Sequence, residues 1–122
     1  MNAIPREIPK QWSWHYLALQ RMRETLMRER EEREAAARES RERGGIDAID
    51  MASEQTEHET LVAELSQEHA ELVEVEAAIE RIRKGTYGIC EVSGRPIATE
   101  RLRALPWTRL SVGAAARREG AR

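Results

Sequence analysis

The sequence predicts a mainly α-helical protein: a long antiparallel two-helix coiled-coil hairpin, followed by a small globular domain and a short C-terminal helix. Two uninterrupted stretches without proline or glycine, residues 11–43 and 46–84, are rich in good helix formers. Charged residues make up 34% of the 122 residues and aromatic residues only 4%. Such a composition cannot build a large core, but it can build the narrow contact between two helices.

After an N-terminal arm at residues 1–10, the first helix is predicted over residues 11–43 and ends at Gly44 and Gly45. The second helix is predicted over residues 48–84, so the hairpin occupies residues 11–84 with its tip near 44–52. Apolar residues recur with alternating spacings of three and four, which predicts one contact stripe on each helix. The stripe residues are Leu19, Met22, Leu26 and Ala36 on the first helix, and Leu61, Leu65, Leu72, Val75, Ile79 and Ile82 on the second.

Residues 85–122 are predicted to form the small domain. Short apolar segments at 87–90 and 96–97 flank a turn at 92–95 and predict a small hairpin. Thr99 is predicted to cap a helix over 100–105 that Pro106 ends, and residues 114–122 continue into a final helix. We expect Trp107, Leu110 and Val112 to pack on the aromatic start of the first helix.

The small domain has the spacing of a four-thiolate zinc ribbon without its thiolates. A structural zinc site of this kind needs two pairs of cysteines, with two residues between the members of each pair. The four positions carry Cys90, Ser93, Ser111 and Ala114. A protonated hydroxyl and a methyl group cannot replace thiolates, so we expect a zinc-free domain and interpret Cys90 as a small buried side chain.

Charge and motif content exclude several functional classes. Residues 46–80 carry a net charge of −11 and residues 81–122 carry +7, so the total of −2 hides two oppositely charged regions. We expect no membrane span, because the chain has no apolar run of about 18 residues. The sequence has no nucleophile–base pair, phosphate-binding loop or metal cluster, and we expect no enzyme activity. The single cysteine and the absence of an apolar signal segment predict a cytoplasmic protein.

Two motifs resemble the DksA/TraR family of bacterial RNA polymerase regulators, specifically members with replaced zinc ligands. The first is the finger-like segment, with matches at Gly85, Tyr87, Gly88, Cys90, Gly94, Pro96, Ile97, Arg101, Leu102, Ala104 and Pro106. The second is the D-x-x-D-x-A pattern of Asp47, Asp50 and Ala52, which the family carries at its coiled-coil tip. The resemblance extends over roughly residues 11–114.

The resemblance implies a transcription regulator that inserts its coiled-coil tip into the secondary channel of RNA polymerase. Asp47, Asp50 and Ala52 would be the tip residues that modulate transcription initiation. Asp47 and Asp50 also fit a structural role, because carboxylates stabilise the start of a helix. Family members often respond to the alarmone ppGpp through basic residues, but the matching positions here carry Glu74, Leu105 and Ala115. A response to ppGpp is therefore not expected.

The arginines of the small domain leave three interpretations open: a solvated face, a contact with polymerase, or an electrostatic footprint for nucleic acid. Arg95, Arg101 and Arg103 are the candidate polymerase contacts, and we expect no direct sequence-specific binding to nucleic acid. One hairpin per channel indicates a monomer. The alternative function is a structural coiled-coil adaptor that binds another protein through its acidic second helix.

Overall fold

The computed structural model describes residues 4–42 and 51–120, with the side chains at 40, 41, 51–56, 58 and 61 outside that description. A 3-10 turn at Lys10–Trp12 leads into α1, Ser13–Glu42. The chain continues with α2, Met51–Lys84, then α3, Thr99–Ala104, and α4, Val112–Gly120. The fold is mainly helical, and the described residues contain no strand beyond one isolated bridge. No described helix has the length and apolar character needed to cross a membrane.

The two long helices lie close to their predicted bounds. α1 begins two residues later than predicted, because a 3-10 turn precedes it, and ends at Glu42. α2 ends at Lys84, as predicted, with Gly85 in the left-handed region at φ 81°. The Thr86 N–H donates to the Arg81 carbonyl and the Gly85 N–H to the Ile82 carbonyl. These two bonds form a Schellman cap, which explains why the helix ends at this glycine.

The chain divides into two compact units, Glu24–Leu72 and the remainder. In Glu24–Leu72, the partner segments of α1 and α2 are joined by Arg33, which pairs with Glu64 at 3.7 Å and with Glu68. Glu68 is buried, so its pair is shielded from water on one side. Ala36 is exposed, whereas the neighbouring Ala37 is partly buried. The predicted stripe is therefore wrong at Ala36, because the helix turns a different face inward there.

The second unit contains the first turns of α1, the end of α2 and residues 85–120. Its most deeply buried large side chains come from three parts of the chain: Leu19 of α1, Val75 and Ile82 of α2, and Cys90 and Leu102 of the small domain. Burial of aliphatic side chains contributes about 1.5 to 3 kcal/mol each. This shared core is what holds the small domain against the helix ends.

The predicted hairpin of the small domain is reduced to a single antiparallel bridge between Ile89 and Pro96. The Cys90 N–H donates to the Arg95 carbonyl at 2.8 Å, and the Ile97 N–H to the Gly88 carbonyl at 2.7 Å. The turn between them contains Gly94 at φ 71°. We call residues 90–95 the knuckle turn.

Two local predictions are wrong. Thr99 is the first residue of α3, and Ala98 occupies the N-cap without a side-chain hydrogen bond. Val112 is 62% exposed and begins α4, so it does not pack on the start of α1. Ser111 caps the N-terminus of α4, because its hydroxyl oxygen accepts a hydrogen bond from the Ala114 N–H at 3.2 Å. The final helix therefore begins two residues earlier than predicted, at Val112, and is described as far as Gly120.

Candidate functional site

The predicted tip lies outside the part of the chain that the structure describes. Asp47 and Asp50 lie outside the described residues, in the interval between the end of α1 and the start of α2. Ala52 lies in the first turn of α2, and its side chain is also outside the description. The tip assignment therefore stays a prediction, and the described site lies in residues 85–120 and the helix ends that they contact.

Three of the four positions with zinc-ribbon spacing, Cys90, Ser93 and Ser111, come together in the structure. The thiol is 1% exposed, and the Ser93 N–H donates to its sulfur at 3.5 Å. Ser111 also hydrogen-bonds to this sulfur, and Ala114 is buried close by in sequence at the start of α4. The zinc-ribbon spacing therefore places the hydroxyl groups of Ser93 and Ser111 next to the Cys90 sulfur.

Hydrogen bonds lower the pKa of the Cys90 thiol to about 6. The Ser93 hydroxyl is the main cause, followed by the backbone N–H groups of Ser111 and Ser93, while burial acts in the opposite direction. Donors that point at a sulfur favour its charged form. Hydrogen-bond donors of Ser93 and Ser111 therefore surround the Cys90 sulfur.

An ion-pair network centred on Arg109 joins the loop after α3 to two other parts of this unit. The Arg109 Nε donates to Glu74 Oε2 of α2 at 2.7 Å, and Nη1 donates to Glu91 Oε1 of the knuckle turn at 2.9 Å. These carboxylates, Glu74 foremost, raise the pKa of Arg109. The backbones of Glu91 and Arg109 also hydrogen-bond at 3.0 Å. We call these three residues the Arg109 network.

Two further side chains hold the same loop through its carbonyl groups. Arg81 of α2 donates to the carbonyl oxygens of Trp107 and Thr108 at 3.2 and 3.4 Å. The Tyr87 hydroxyl donates to the Pro106 carbonyl at 2.7 Å. Burial raises the pKa of Tyr87 to about 12, so this phenol remains a donor at neutral pH. Burial and the neighbouring Arg109 lower the pKa of Arg81.

The aromatic start of α1 packs on the small domain around His15. The ring of Trp12 meets those of His15 and Tyr87 edge to face, at centroid distances of 5.1 and 4.8 Å. His15 is 4% exposed, and neither ring nitrogen has a hydrogen-bond partner among the described residues. Burial, and secondarily the charge of Arg103, lowers the pKa of His15. A neutral imidazole therefore forms part of this aromatic cluster.

The three arginines predicted to contact polymerase have different environments. Arg101 is partly buried, and its Nε donates to the Leu110 carbonyl at 2.7 Å. Arg103 is exposed and stacks over the ring of Trp14 at 4.9 Å. Arg95 is exposed in the knuckle turn, with no ion pair among the described residues. Of the three, Arg101 has a clear structural role, while Arg95 and Arg103 present their guanidinium groups to solvent.

Residues 85–120 match the prokaryotic dksA/traR C4-type zinc finger. A longer similarity is found with the RNA polymerase-binding transcription factor DksA of Caulobacter vibrioides, 30% identical over 107 residues, which covers 88% of this chain and 69% of that protein. The chain belongs to the DksA/TraR family. The resemblance drawn from the finger and tip motifs is thereby confirmed.

A solved structure supports the family fold. The transcription factor DksA2 of Pseudomonas aeruginosa superposes with a TM-score of 0.83 at 28% identity, covering 95% of this chain and 88% of that one. General stress protein 16O of Bacillus subtilis is 47% identical over 45 residues. That match covers 37% of this chain and 28% of the relative. An uncharacterised Aquifex aeolicus protein is 57% identical over 42 residues, and the chain spans 29% of it.

The donor set does not fit the zinc that the C4-type finger implies. One sulfur, two hydroxyl groups and a methyl group occupy the four ligand positions, and the sulfur is hydrogen-bonded to Ser93 and Ser111. Tetrahedral structural zinc requires four strong ligands. Hydrogen bonds of Arg109, Arg81 and Tyr87 connect α2, the knuckle turn and the loop after α3 in this domain.

The sequence resemblance predicts that Glu74, Leu105 and Ala115 lie at the positions of the family's ppGpp-binding residues. Glu74 is an anion, and its carboxylate is engaged by Arg109. Leu105 and Ala115 are partly buried apolar residues.

Sequence reasoning missed the Arg109 network and the role of His15. The opposite charges of residues 46–80 and 81–122 are compatible with such pairs, but they do not identify Arg109 among the arginines of the small domain. For His15 the available signal was its position between Trp14 and Tyr16 near Trp12, which is typical of an aromatic cluster.

Proposed function

We propose that this protein is a transcription factor that binds bacterial RNA polymerase and modulates transcription initiation. The observation that supports this most directly is the similarity to the RNA polymerase-binding DksA of Caulobacter over 107 residues, 88% of the chain. The DksA2 fold extends over 95% of the chain and supports the same conclusion. Binding and regulation would occur without bond chemistry in this protein.

The hairpin tip would enter the secondary channel of the polymerase and bring Asp47 and Asp50 near its catalytic centre. In a confined site of low effective dielectric, two carboxylates act strongly on nearby basic groups and on magnesium. Ala52 beside them is small enough to permit a close approach. This is the role that the family's D-x-x-D-x-A pattern implies for Asp47, Asp50 and Ala52.

Several further proposals follow from RNA polymerase as the partner. The protein would act in the cytoplasm, as a monomer, because one hairpin fills one channel. Arg95 and Arg103 would face acidic polymerase surfaces, and no sequence-specific contact with DNA or RNA would be needed. The domain would fold without zinc, and ppGpp would not bind at the positions of Glu74, Leu105 and Ala115.

The test is a pair of measurements on Asp50→Asn. We expect its affinity for RNA polymerase to stay within about twofold of the wild type, because Asn keeps the size of Asp and leaves the contacts made by the rest of the protein unchanged. Regulation in a purified transcription assay should be lost. Glu57→Gln is the matched control, since Glu57 is an exposed carboxylate of α2 and should retain regulation.

Full regulation by Asp50→Asn would show that the tip carboxylates are not the effectors. A pull-down separates this function from the adaptor alternative. Capture of polymerase subunits is the expected result, whereas another partner captured through the acidic face of α2, without polymerase, would favour the adaptor.

A further inference from the structure

A cleft of about 650 Å³ opens between the knuckle turn and α4. Its walls are Val92, Ser93, Arg95 and Pro96 on one side, and Ser111 and Arg117 on the other. This volume falls within the range of about 300 to 1,000 Å³ that is typical of small-molecule sites. None of the six lining residues belongs to the predicted tip, the Arg109 network or the positions matched to ppGpp binding, whereas Arg95 is also a proposed polymerase contact.

The cleft is positively charged and no lining residue neutralises it. Arg95 and Arg117 are exposed and have no ion pair with a described residue, and no carboxylate is among the six lining residues. Arg109 differs, because Glu74 and Glu91 already occupy its guanidinium. Two guanidinium groups on different elements can hold one anion from two sides.

Hydroxyl groups and an apolar wall complete the lining. The Ser93 oxygen accepts from the Arg95 N–H at 3.3 Å, and the Ser111 oxygen accepts from the Ala114 N–H at 3.2 Å. Both hydroxyl groups also donate to the Cys90 sulfur, so the guanidinium groups of Arg95 and Arg117 supply the donors for an anion. Val92 is 64% exposed beside Pro96 and offers apolar surface at the same cleft.

We propose that this cleft binds a small phosphate-bearing molecule, with Arg95 and Arg117 on its phosphate and Val92 and Pro96 against its apolar part. Phosphate suits the planar donor groups of two arginines better than a monovalent halide does, because its oxygens accept several hydrogen bonds at once. A concave site favours a small ligand over the extended backbone of a nucleic acid. The proposal does not depend on polymerase binding.

The test uses the full-length protein alone, with inorganic phosphate and phenyl phosphate as probes at matched ionic strength. Calorimetry measures affinity, and amide chemical shifts in NMR spectra locate the site. We expect saturable binding of both probes, with shifts concentrated at Ser93, Arg95, Ser111 and Arg117. Arg95→Ala and Arg117→Ala should each weaken binding at least about tenfold.

Arg118→Ala is the matched control, because Arg118 is the next residue of α4 and does not line the cleft. We expect it to change affinity less than about twofold. Val92→Ser should weaken phenyl phosphate about fourfold and leave inorganic phosphate unchanged, since only the ring uses the apolar wall. All four positions are exposed, so these variants should fold normally.

Three results would overturn the proposal. They are the absence of saturable binding, an equal loss with Arg118→Ala, and shifts spread over all arginines without a focus at the cleft. The last two would identify general attraction of anions to a cationic domain. Because no polymerase is present, none of these outcomes bears on the proposed transcription function.

Discussion

Gly88 occupies a position where the backbone and a neighbouring ring leave room only for hydrogen. Its φ of 85° lies in the left-handed region, and a Cβ there would be 2.9 Å from two ring atoms of Trp12. Gly94 also has a positive φ, 71°, but a Cβ would meet nothing within 4 Å. A comparison of Gly88 with Gly94 therefore distinguishes the cost of a positive φ from the cost of a steric clash.

We expect Gly88→Ala to lower the free energy of unfolding by about 2 to 4 kcal/mol, because a positive φ and an overpacked contact both oppose it. Gly94→Ala should cost about 1 to 2 kcal/mol from the backbone alone. Urea denaturation followed by circular dichroism measures both. Equal losses in the two variants would show that the Trp12 contact does not constrain Gly88.

His15 should make stability depend on pH. Burial and Arg103 hold its pKa below 6.5 in the folded protein, while the unfolded chain takes up a proton near 6.5. The unfolded state therefore binds more protons just below that pH, and the free energy of unfolding falls as pH decreases, down to the folded pKa. The groups that face His15 are Arg103, Trp12, Trp14 and Tyr87, whose hydroxyl is bonded to the Pro106 carbonyl.

His15→Phe keeps a ring and removes the titration, so it should lose less stability than the wild type between about pH 7.5 and pH 5. Urea unfolding at both pH values measures the difference. His69→Gln, at an exposed position of α2, should behave like the wild type. The same pH dependence in His15→Phe would assign the effect to other groups.

At the scale of elements, the Arg109 network connects α2, the knuckle turn and the loop after α3. Arg109→Gln should lower the free energy of unfolding by about 0.5 to 2 kcal/mol, since it removes two partly exposed pairs. The loss should shrink at high salt. Urea titrations at two salt concentrations measure it, with Arg30→Gln, which breaks the exposed pair with Glu34, as control.

The control should cost no more than about 0.5 kcal/mol. A double-mutant cycle with Glu74→Gln isolates the pair itself. A coupling energy of zero in that cycle would show that Glu74 and Arg109 do not support each other, despite their 2.7 Å separation.

The elements differ in how far the sequence predicts them. α1 and α2 follow from long segments free of proline and glycine, and the end of α2 follows from Gly85. The start of α3 at Thr99 was wrong by one position, because a threonine can serve as a cap or as a first helical residue. The prediction that Ala36 lies in the contact stripe was wrong, because an alanine fits the buried or the exposed face of a helix. Leu19 and Ile82 have larger apolar side chains, which favour the buried face.

Long-range polar contacts of the small domain lay beyond sequence reasoning. Arg101 and Arg109 have the same chemistry, yet one bonds the Leu110 carbonyl and the other joins Glu74 and Glu91. Which partner each arginine takes depends on tertiary geometry, with 35 residues separating Arg109 from Glu74. The finger spacing, in contrast, correctly brought Cys90, Ser93 and Ser111 together.

For the whole molecule, we expect stability without zinc. Treatment with a strong chelator should leave the thermal midpoint unchanged, and metal analysis should find far less than one zinc per chain. The physical reason is the set of four ligand positions, which offers a single thiolate. Replacing Arg109 should lower the midpoint with or without chelator. Stoichiometric zinc whose removal unfolds the domain would contradict this.

The central claim is that the hairpin tip acts inside RNA polymerase, and crosslinking from the tip tests it most directly. Ala48→Cys in a Cys90→Ser background provides one thiol for a photoactivated crosslinker, because Cys90 is the only native cysteine. Glu80→Cys in the same background, far along α2, is the control. After irradiation of the polymerase complex, mass spectrometry identifies the attached residues.

The account predicts crosslinks from position 48 to polymerase residues that line the secondary channel near the catalytic magnesium, and none there from position 80. Crosslinks from position 48 only to the outer surface of the polymerase, in a complex that still regulates transcription, would contradict it.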